Sequence, residues 1–354
     1  PAEAPGTAMA RPVLAGDVVP AEWLWACTSC LACDDVCPFG IEHVPFIVQM
    51  RRHLVAEGEI DAGVQDALTS VMRYGNAAGK SPRMRARWTR ELDFEITDAR
   101  TEKVEYLWFV GDYASFDPRV QELTAATARV LQAAGVDFGI LYDAEQNSGN
   151  DVRRLGEEGL FEMMRDHNRE ALAAAAGFET ILTTDPHSYH ALAAEYGNGS
   201  GPLSVMHYTE LLQMLLDVGV IEVLSGGPAV TYHDPCYLGR YHGIYEAPRR
   251  VLERVAARVV EMPRCRESAF CCGAGGGRIW MGDLPVTGER PAELRVREAA
   301  SLAGVGTLVT ACPKDYVMFQ DAVKTTGLEE DLVIRDVVEL VEEAMAAMSR
   351  SGGS

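Results

Sequence analysis

A chain of 354 residues, 47% of them apolar, can bury the cores of two or three domains, and its formal net charge of −20 repels nucleic-acid backbones and anionic lipid surfaces. No run approaches the roughly 18 consecutive apolar residues of a membrane-spanning helix, and no export signal opens the chain. The expected setting is the cytoplasm, with any membrane association made through a partner or an upstream domain, and with protein partners rather than nucleic acid.

Residues 1–20, PAEAPGTAMARPVLAGDVVP, are rich in Ala, Pro and Gly and read as a linker. Residues 21–100 open with a tight cysteine cluster, followed by IEHVPFIVQMRRHLVAEG with apolar residues at helical spacing. From about 61 to 102 charged helical and loop segments alternate without fixed bounds. From Val104 strands and helices alternate: EYLWFV, DFGILY and ETILTT read as short buried strands, with helices such as RVQELTAATARVLQAAG between them. The order recurs from Ala229 as AVTYH, a helical EAPRRVLERVAARV, GTLVTA, a helix, LVIRD and the closing helix VVELVEEAMAAM. The expected fold class is α/β. A small α-helical domain over 21–100 precedes two repeated lobes, 101–225 and 226–350, with mostly parallel sheets.

The two lobes align with one another. Asp112 to Asn147 and Cys236 to Cys271 are both 35 positions apart, so Asn147-Ser148-Gly149 falls on Cys271-Cys272-Gly273. TTDPHSY likewise falls on TACPKDY, pairing Asp185 with Cys312 and Ser188 with Asp315. Oxygen donors suit iron–sulfur clusters poorly, so the first lobe is expected to be free of metal.

Nine cysteines, unevenly spread, argue for metal or redox chemistry rather than a disulfide scaffold. Cys27, Cys30, Cys33 and Cys37 form CxxCxxCxxxCP, the run of bacterial ferredoxin-type domains, and a 4Fe-4S cluster is expected on it. Zinc would need two separated CxxC units. In two-cluster ferredoxins the fourth cysteine serves the other cluster. Either Cys37 completes a one-run site here, or a companion run lies on an upstream segment or another chain; the linker-like opening favours the upstream segment.

HDPCYLGRY, SAFCCGAGGGRIWM and TACPKDY place Cys236, Cys271, Cys272 and Cys312 at strand-to-helix turns, where open parallel sheets bind ligands. Four soft thiolates there suit a second iron–sulfur cluster, against the alternatives of buried apolar fillers or a redox dithiol. GAGGG (273–277) lacks the lysine and preceding strand of a phosphate loop.

These motifs together resemble the heterodisulfide-reductase-like iron–sulfur proteins with cysteine-rich CCG domains, over about Trp23 to Met348. The chain is most similar to the branch found with electron-transfer flavoprotein and acyl-CoA dehydrogenases, where a haem-bearing membrane domain usually precedes the iron–sulfur part. The resemblance implies ligands at Cys236, Cys271, Cys272 and Cys312 for a cluster of non-cubane type, with Asp315 replacing the family's last cysteine. A carboxylate at 315 would bind one iron weakly or leave it open; the alternative is a surface acid at a helix start. The implied function is an electron-transfer subunit of a respiratory oxidoreductase, between a flavoprotein or thiol/disulfide couple and a haem/quinone partner. The rivals are a disulfide reductase acting directly at the C-terminal cluster and a scaffold whose second lobe has lost its metal and serves only for docking. Cys265 is read as packing, and His233, His242, Arg240 and Arg278 as residues that could tune a cluster.

Overall fold

The computed structural model describes residues 12–197, 202–282 and 288–351. Most of the expected linker lies outside the described residues; within its remainder Ala15 bridges to Val19.

A helical module comes first, with α1 (Ala21–Ala26), α2 (Ala32–Asp35), α3 (His43–Ala56) and α4 (Ala62–Tyr74). Asp61 caps α4 by accepting from the Gly63 and Val64 N–H groups, and Gly75 ends it in the left-handed region. The charged stretch from about 61 to 102 thus holds α4, two short 3-10 turns and then β1 (Thr97–Asp98), which joins the first lobe's sheet beside β3 (Phe138–Ile140).

The first lobe runs β2 (Tyr106–Phe109), α5 (Asp112–Phe116), α6 (Pro118–Ala133), β3 (Phe138–Ile140), α7 (Asn150–Arg154), α8 (Glu158–Ala174), β4 (Thr180–Thr183), α9 (Pro186–His190), β5 (Val205–His207) and α10 (Tyr208–Asp217). The second lobe repeats the scheme with β6 (Gly227–Tyr232), α11 (Gly239–His242), α12 (Glu246–Val255), β7 (Ala256–Val259), α13 (Pro291–Ala300), β8 (Thr307–Thr310), α14 (Pro313–Thr326), β9 (Val333–Asp336) and α15 (Val337–Ser351). Both sheets are wholly parallel, ordered β1-β3-β2-β4-β5 and β7-β6-β8-β9. The internal repeat therefore extends to strand order, with β1 as the first lobe's extra edge.

Two sequence expectations are corrected. The helix read through EAPRRVLERVAARV stops at Val255, and its tail is the edge strand β7. Ala256 is already extended (ψ 156°), and the half-exposed strand supplies no alternation strong enough to show against the helical period. The three-residue β5 went unread because it is too short for any period.

Parallel strands covered by helices on both faces read as continuous apolar runs, and β2 and β8 are buried at every residue. One core runs through both lobes, from Trp108 and Leu131 to Val251 and Val341. A second ties the first lobe to the helical module, joining Phe109 and Leu155 to Leu24, Leu54 and Val64.

Candidate metal centre

In the second lobe Cys236 lies just past β6, Cys271 and Cys272 lie in the loop after β7, and Cys312 is the N-cap of α14 directly after β8. All nine cysteines are free, and Cys272 and Cys312 are buried. The Cys272 thiol hydrogen-bonds Cys271, as does that of Cys30, which holds Cys271 well below the usual thiol range and pushes Cys272 well above it. Burial raises Cys236, and burial with the Asp315 carboxylate raises Cys312.

Asp315 sits in the first turn of α14, but only 3% of it is exposed, so it is no surface acid. It is within hydrogen-bonding reach of Cys272 and burial pushes it up to about 7. Its Oδ2 is 3.5 Å from His233 Nε2 and accepts from Thr310 Oγ1 at 3.4 Å. His233, Cys272 and Asp315 present ligand atoms within 4.8 Å of one another. Arg295 donates to His233 Nδ1 at 3.1 Å, which turns Nε2 toward Asp315. The sequence reading placed His233 only near Cys236; the β6–α11 turn carries it to the carboxylate.

The N-terminal run wraps a turn between α1 and α2. Cys27 and Cys33 are electrostatic neighbours, Cys33 is exposed beside Asp34 and His43, and Cys37 is partly exposed. Cys30 is the member of the run that reaches the second set. Its thiol hydrogen-bonds Cys271 and feels the charge of Cys236, so the two cysteine sets meet at this residue.

The glycine loop builds that junction. A Cβ on Gly275 would stand 2.5 Å from the Thr28 carbonyl oxygen, and one on Gly277 would stand 2.6 Å from Leu155 of the first lobe. GAGGG thus lets its backbone approach the backbone of the N-terminal turn and the Leu155 side chain of the first lobe closely. Arg51 of α3 locks the three modules together. Fully buried, it donates to the carbonyls of Leu24 (2.9 Å), Trp25 (3.4 Å) and Cys27, to Arg154 of the first lobe (3.1 Å) and to Gly276 of the second (3.0 Å). Burial lowers its pKa to about 10. No sequence signal separated Arg51 from an ordinary helix-surface arginine.

The first lobe's equivalent positions form a polar lattice. Asn147 donates to Asp112 Oδ2 at 2.6 Å, Ser188 donates to Asp185 Oδ2 at 2.7 Å, and Arg85 pairs with both Asp112 (2.7 Å) and Glu145 (2.8 Å). Across the interface, Lys314 and its repeat counterpart His187 both face Asp151. His242 meets His190 Nδ1 at 3.1 Å, away from the thiols, whereas Arg240 faces Cys236, Cys30 and Cys271. Arg278 donates to the Gly282 carbonyl, and Cys265 is electrostatically coupled to Glu261 and Asp234 rather than to another thiol.

Whether these thiols suit iron–sulfur clusters is tested by their donors. Backbone N–H groups point at Cys27 (3.3 Å), Cys37 (3.4 Å), Cys271 (3.2 Å) and Cys272 (3.4 Å), and others at Cys30, Cys236 and Cys312. Soft thiolates stabilised by N–H donors fit such a group. A cleft of about 360 Å³, walled by Tyr113, Ile279, Val317 and Met318 and rimmed by Arg119, ends at Thr28 and Gly273 beside this junction.

Residues 106–193 and 230–320 each match the cysteine-rich domain CCG. The chain belongs to the CCG family. The CCG chain is 38% identical over 344 residues to the probable iron-sulfur-binding oxidoreductase FadF of Bacillus subtilis, covering 95% of the chain and 48% of that protein. It is 37% identical to the EtfAB:quinone oxidoreductase of Syntrophomonas wolfei (93% and 47%) and 32% identical to a component of the dihydromethanophenazine:CoB–CoM heterodisulfide reductase of Methanosarcina barkeri (90% and 77%). The chain spans about half the length of the first two. Among the described residues no helix is long and apolar enough to cross a membrane.

Proposed function

We propose that this chain is an iron–sulfur electron-transfer subunit of a respiratory oxidoreductase. The observation that supports it is the meeting of two thiol sets at Cys30 and Cys271, since two carriers exchange electrons only when close. In this reading Cys27, Cys30 and Cys33 hold a 4Fe-4S cluster, closed by Cys37 or by a companion run that Cys37 serves in exchange. Cys236, Cys271, Cys272 and Cys312, with Asp315 at the edge, hold the second, of non-cubane type. Such clusters supply one-electron carriage without proton transfer. The protein's own contribution is to fix the thiols with N–H donors, to offset their charge with Arg240 and Arg51, and to shield the junction beneath the glycine loop. The name of the Syntrophomonas wolfei relative, EtfAB:quinone oxidoreductase, supports an electron-transfer flavoprotein on one side and a quinone partner on the other; a haem-bearing membrane partner rests on the family resemblance.

The cleft ending at Thr28 favours a second reading, a disulfide reductase whose sulfur substrate enters there. Iron analysis with electron paramagnetic resonance on the anaerobically prepared chain separates the readings. Two signals indifferent to added thiols are expected for electron transfer. A C-terminal signal that responds to a thiol indicates the reductase, and a single signal leaves the second lobe a scaffold and overturns both.

A further inference from the structure

The second lobe closes on one short turn of the helical module, Thr28-Ser29-Cys30-Leu31. Ser29 (φ 50°) and Leu31 (φ 62°) are both left-handed without being glycine, a conformation that persists only where the surroundings over-determine it. The surroundings here belong to the second lobe. Tyr237 Oη lies 2.8 Å from Ser29 Oγ, Tyr241 Oη donates to the Ser29 carbonyl at 2.8 Å, and Arg240 Nε donates to the Cys30 carbonyl at 2.6 Å. From below, Gly275 leaves room for the Thr28 carbonyl, which an alanine could not do.

The clamped turn brings the Thr28 hydroxyl to 3.2 Å from Cys271 Sγ. Beside a thiol, either group can donate; beside a thiolate, which has no proton, only the hydroxyl can. Cys271 already accepts from the Gly273 N–H at 3.2 Å, so Thr28 adds a second donor, delivered from outside the lobe. Hydrogen bonds to a cluster's sulfurs set its reduction potential, because they offset negative charge and favour the more negative, reduced state. Structural packing alone would not select a hydroxyl at this place, since valine has the same shape.

We infer that Thr28 is a tuning residue of the second lobe's thiol set: the N-terminal turn raises the reduction potential of the C-terminal cluster through the Thr28 hydroxyl on Cys271. This rests on the proposed function, in which Cys271 is a cluster ligand.

The test is a redox titration of the full chain, prepared anaerobically, with both cluster signals followed by electron paramagnetic resonance and iron content measured alongside. Thr28→Val is expected to lower the midpoint of the C-terminal signal, to leave that of the ferredoxin-type signal in place, and to leave iron content unchanged. Thr28→Ser, which keeps the hydroxyl, is expected to restore the wild-type midpoint. A thermal melt of the valine variant matching wild type excludes a loosened fold. An unmoved C-terminal midpoint in Thr28→Val, an equal shift in both signals, or a serine variant that behaves like valine overturns the assignment while the proposed function stands. Absence of a C-terminal signal in the unmutated chain overturns that function, and this inference with it.

Discussion

The two lobes share a strand order and a turn geometry, yet one gathers thiols at the carboxyl ends of its strands and the other gathers hydrogen bonds. Where the second lobe has Cys236 and Cys271, the first has Asp112 and Asn147 bonded at 2.6 Å; where the second has Cys312 and Asp315, the first has Asp185 and Ser188 bonded at 2.7 Å. Buried polar groups must be satisfied, and the first lobe's are satisfied by one another and by Arg85 of the preceding connector as the cation. The comparison teaches that one scaffold accommodates either thiols or oxygen donors at the same turns. In the proposed reading, what decides metal binding is whether the turn residues complete one another or leave soft donors for a metal group.

The largest expected difference is in iron. Cys272→Ala should abolish the second cluster signal and its share of iron, while Ser148→Ala, its counterpart, should leave both unchanged; iron lost equally from the two variants would break the comparison. Next in size is Arg85→Met, which strands the Asp112 and Glu145 carboxylates in the interior. Urea unfolding should register a loss of about 3–5 kcal/mol, with iron content retained. A loss below about 1 kcal/mol would mean that the polar lattice does not hold the lobe.

A third contrast is in pH. His207 and Asp336 occupy the same place, each heading the helix after the last strand, with backbone N–H groups donating to Glu210 (3.0 Å) and Glu339 (2.7 Å). Burial lowers His207 to about 3 and raises Asp336 to about 7. The folded state therefore resists a proton on His207, and stability falls as pH drops from about 6.5 toward 3. It resists losing the proton of Asp336, so stability falls as pH rises from about 4 through 7. His207→Gln should flatten the acid limb and Asp336→Asn the neutral one, each by on the order of 2 kcal/mol in denaturant titrations across pH. If both variants flatten the same limb, the assignment of opposite signs is wrong.

The smallest effect compares Gly149 and Gly273, equivalent residues with φ of 78° and 92°. Alanine at 273 meets nothing nearer than 3.5 Å and should cost about 1 kcal/mol for the left-handed backbone, whereas at 149 it meets Phe161 at 2.7 Å and should cost more. Thermal melts that rank the two the other way would contradict the packing described.

Much of this was legible beforehand, for reasons that differ by residue. β2, β3 and β8 announced themselves because fully buried parallel strands are continuous apolar runs, and the repeat followed from equal spacings between turns. β7 and β5 were hidden because a four-residue edge and a three-residue strand carry no period of their own. Asp315 was placed by its repeat position, but its burial beside His233 was not, since His233 stands 82 positions away in sequence.

The sequence by itself determined the composition of each site: which turns carry thiols, which carry oxygens, and that the two lobes are one scheme used twice. These are local or periodic properties, written in spacing. Only the tertiary structure decided that Cys30 meets Cys271, that GAGGG is a surface of close approach, and that Arg51 binds the carbonyls of three modules at once. Each of these depends on backbones far apart in the chain coming within a few ångströms, and a hydrogen-bond donor or a missing Cβ has no periodicity by which its distant partner could be read.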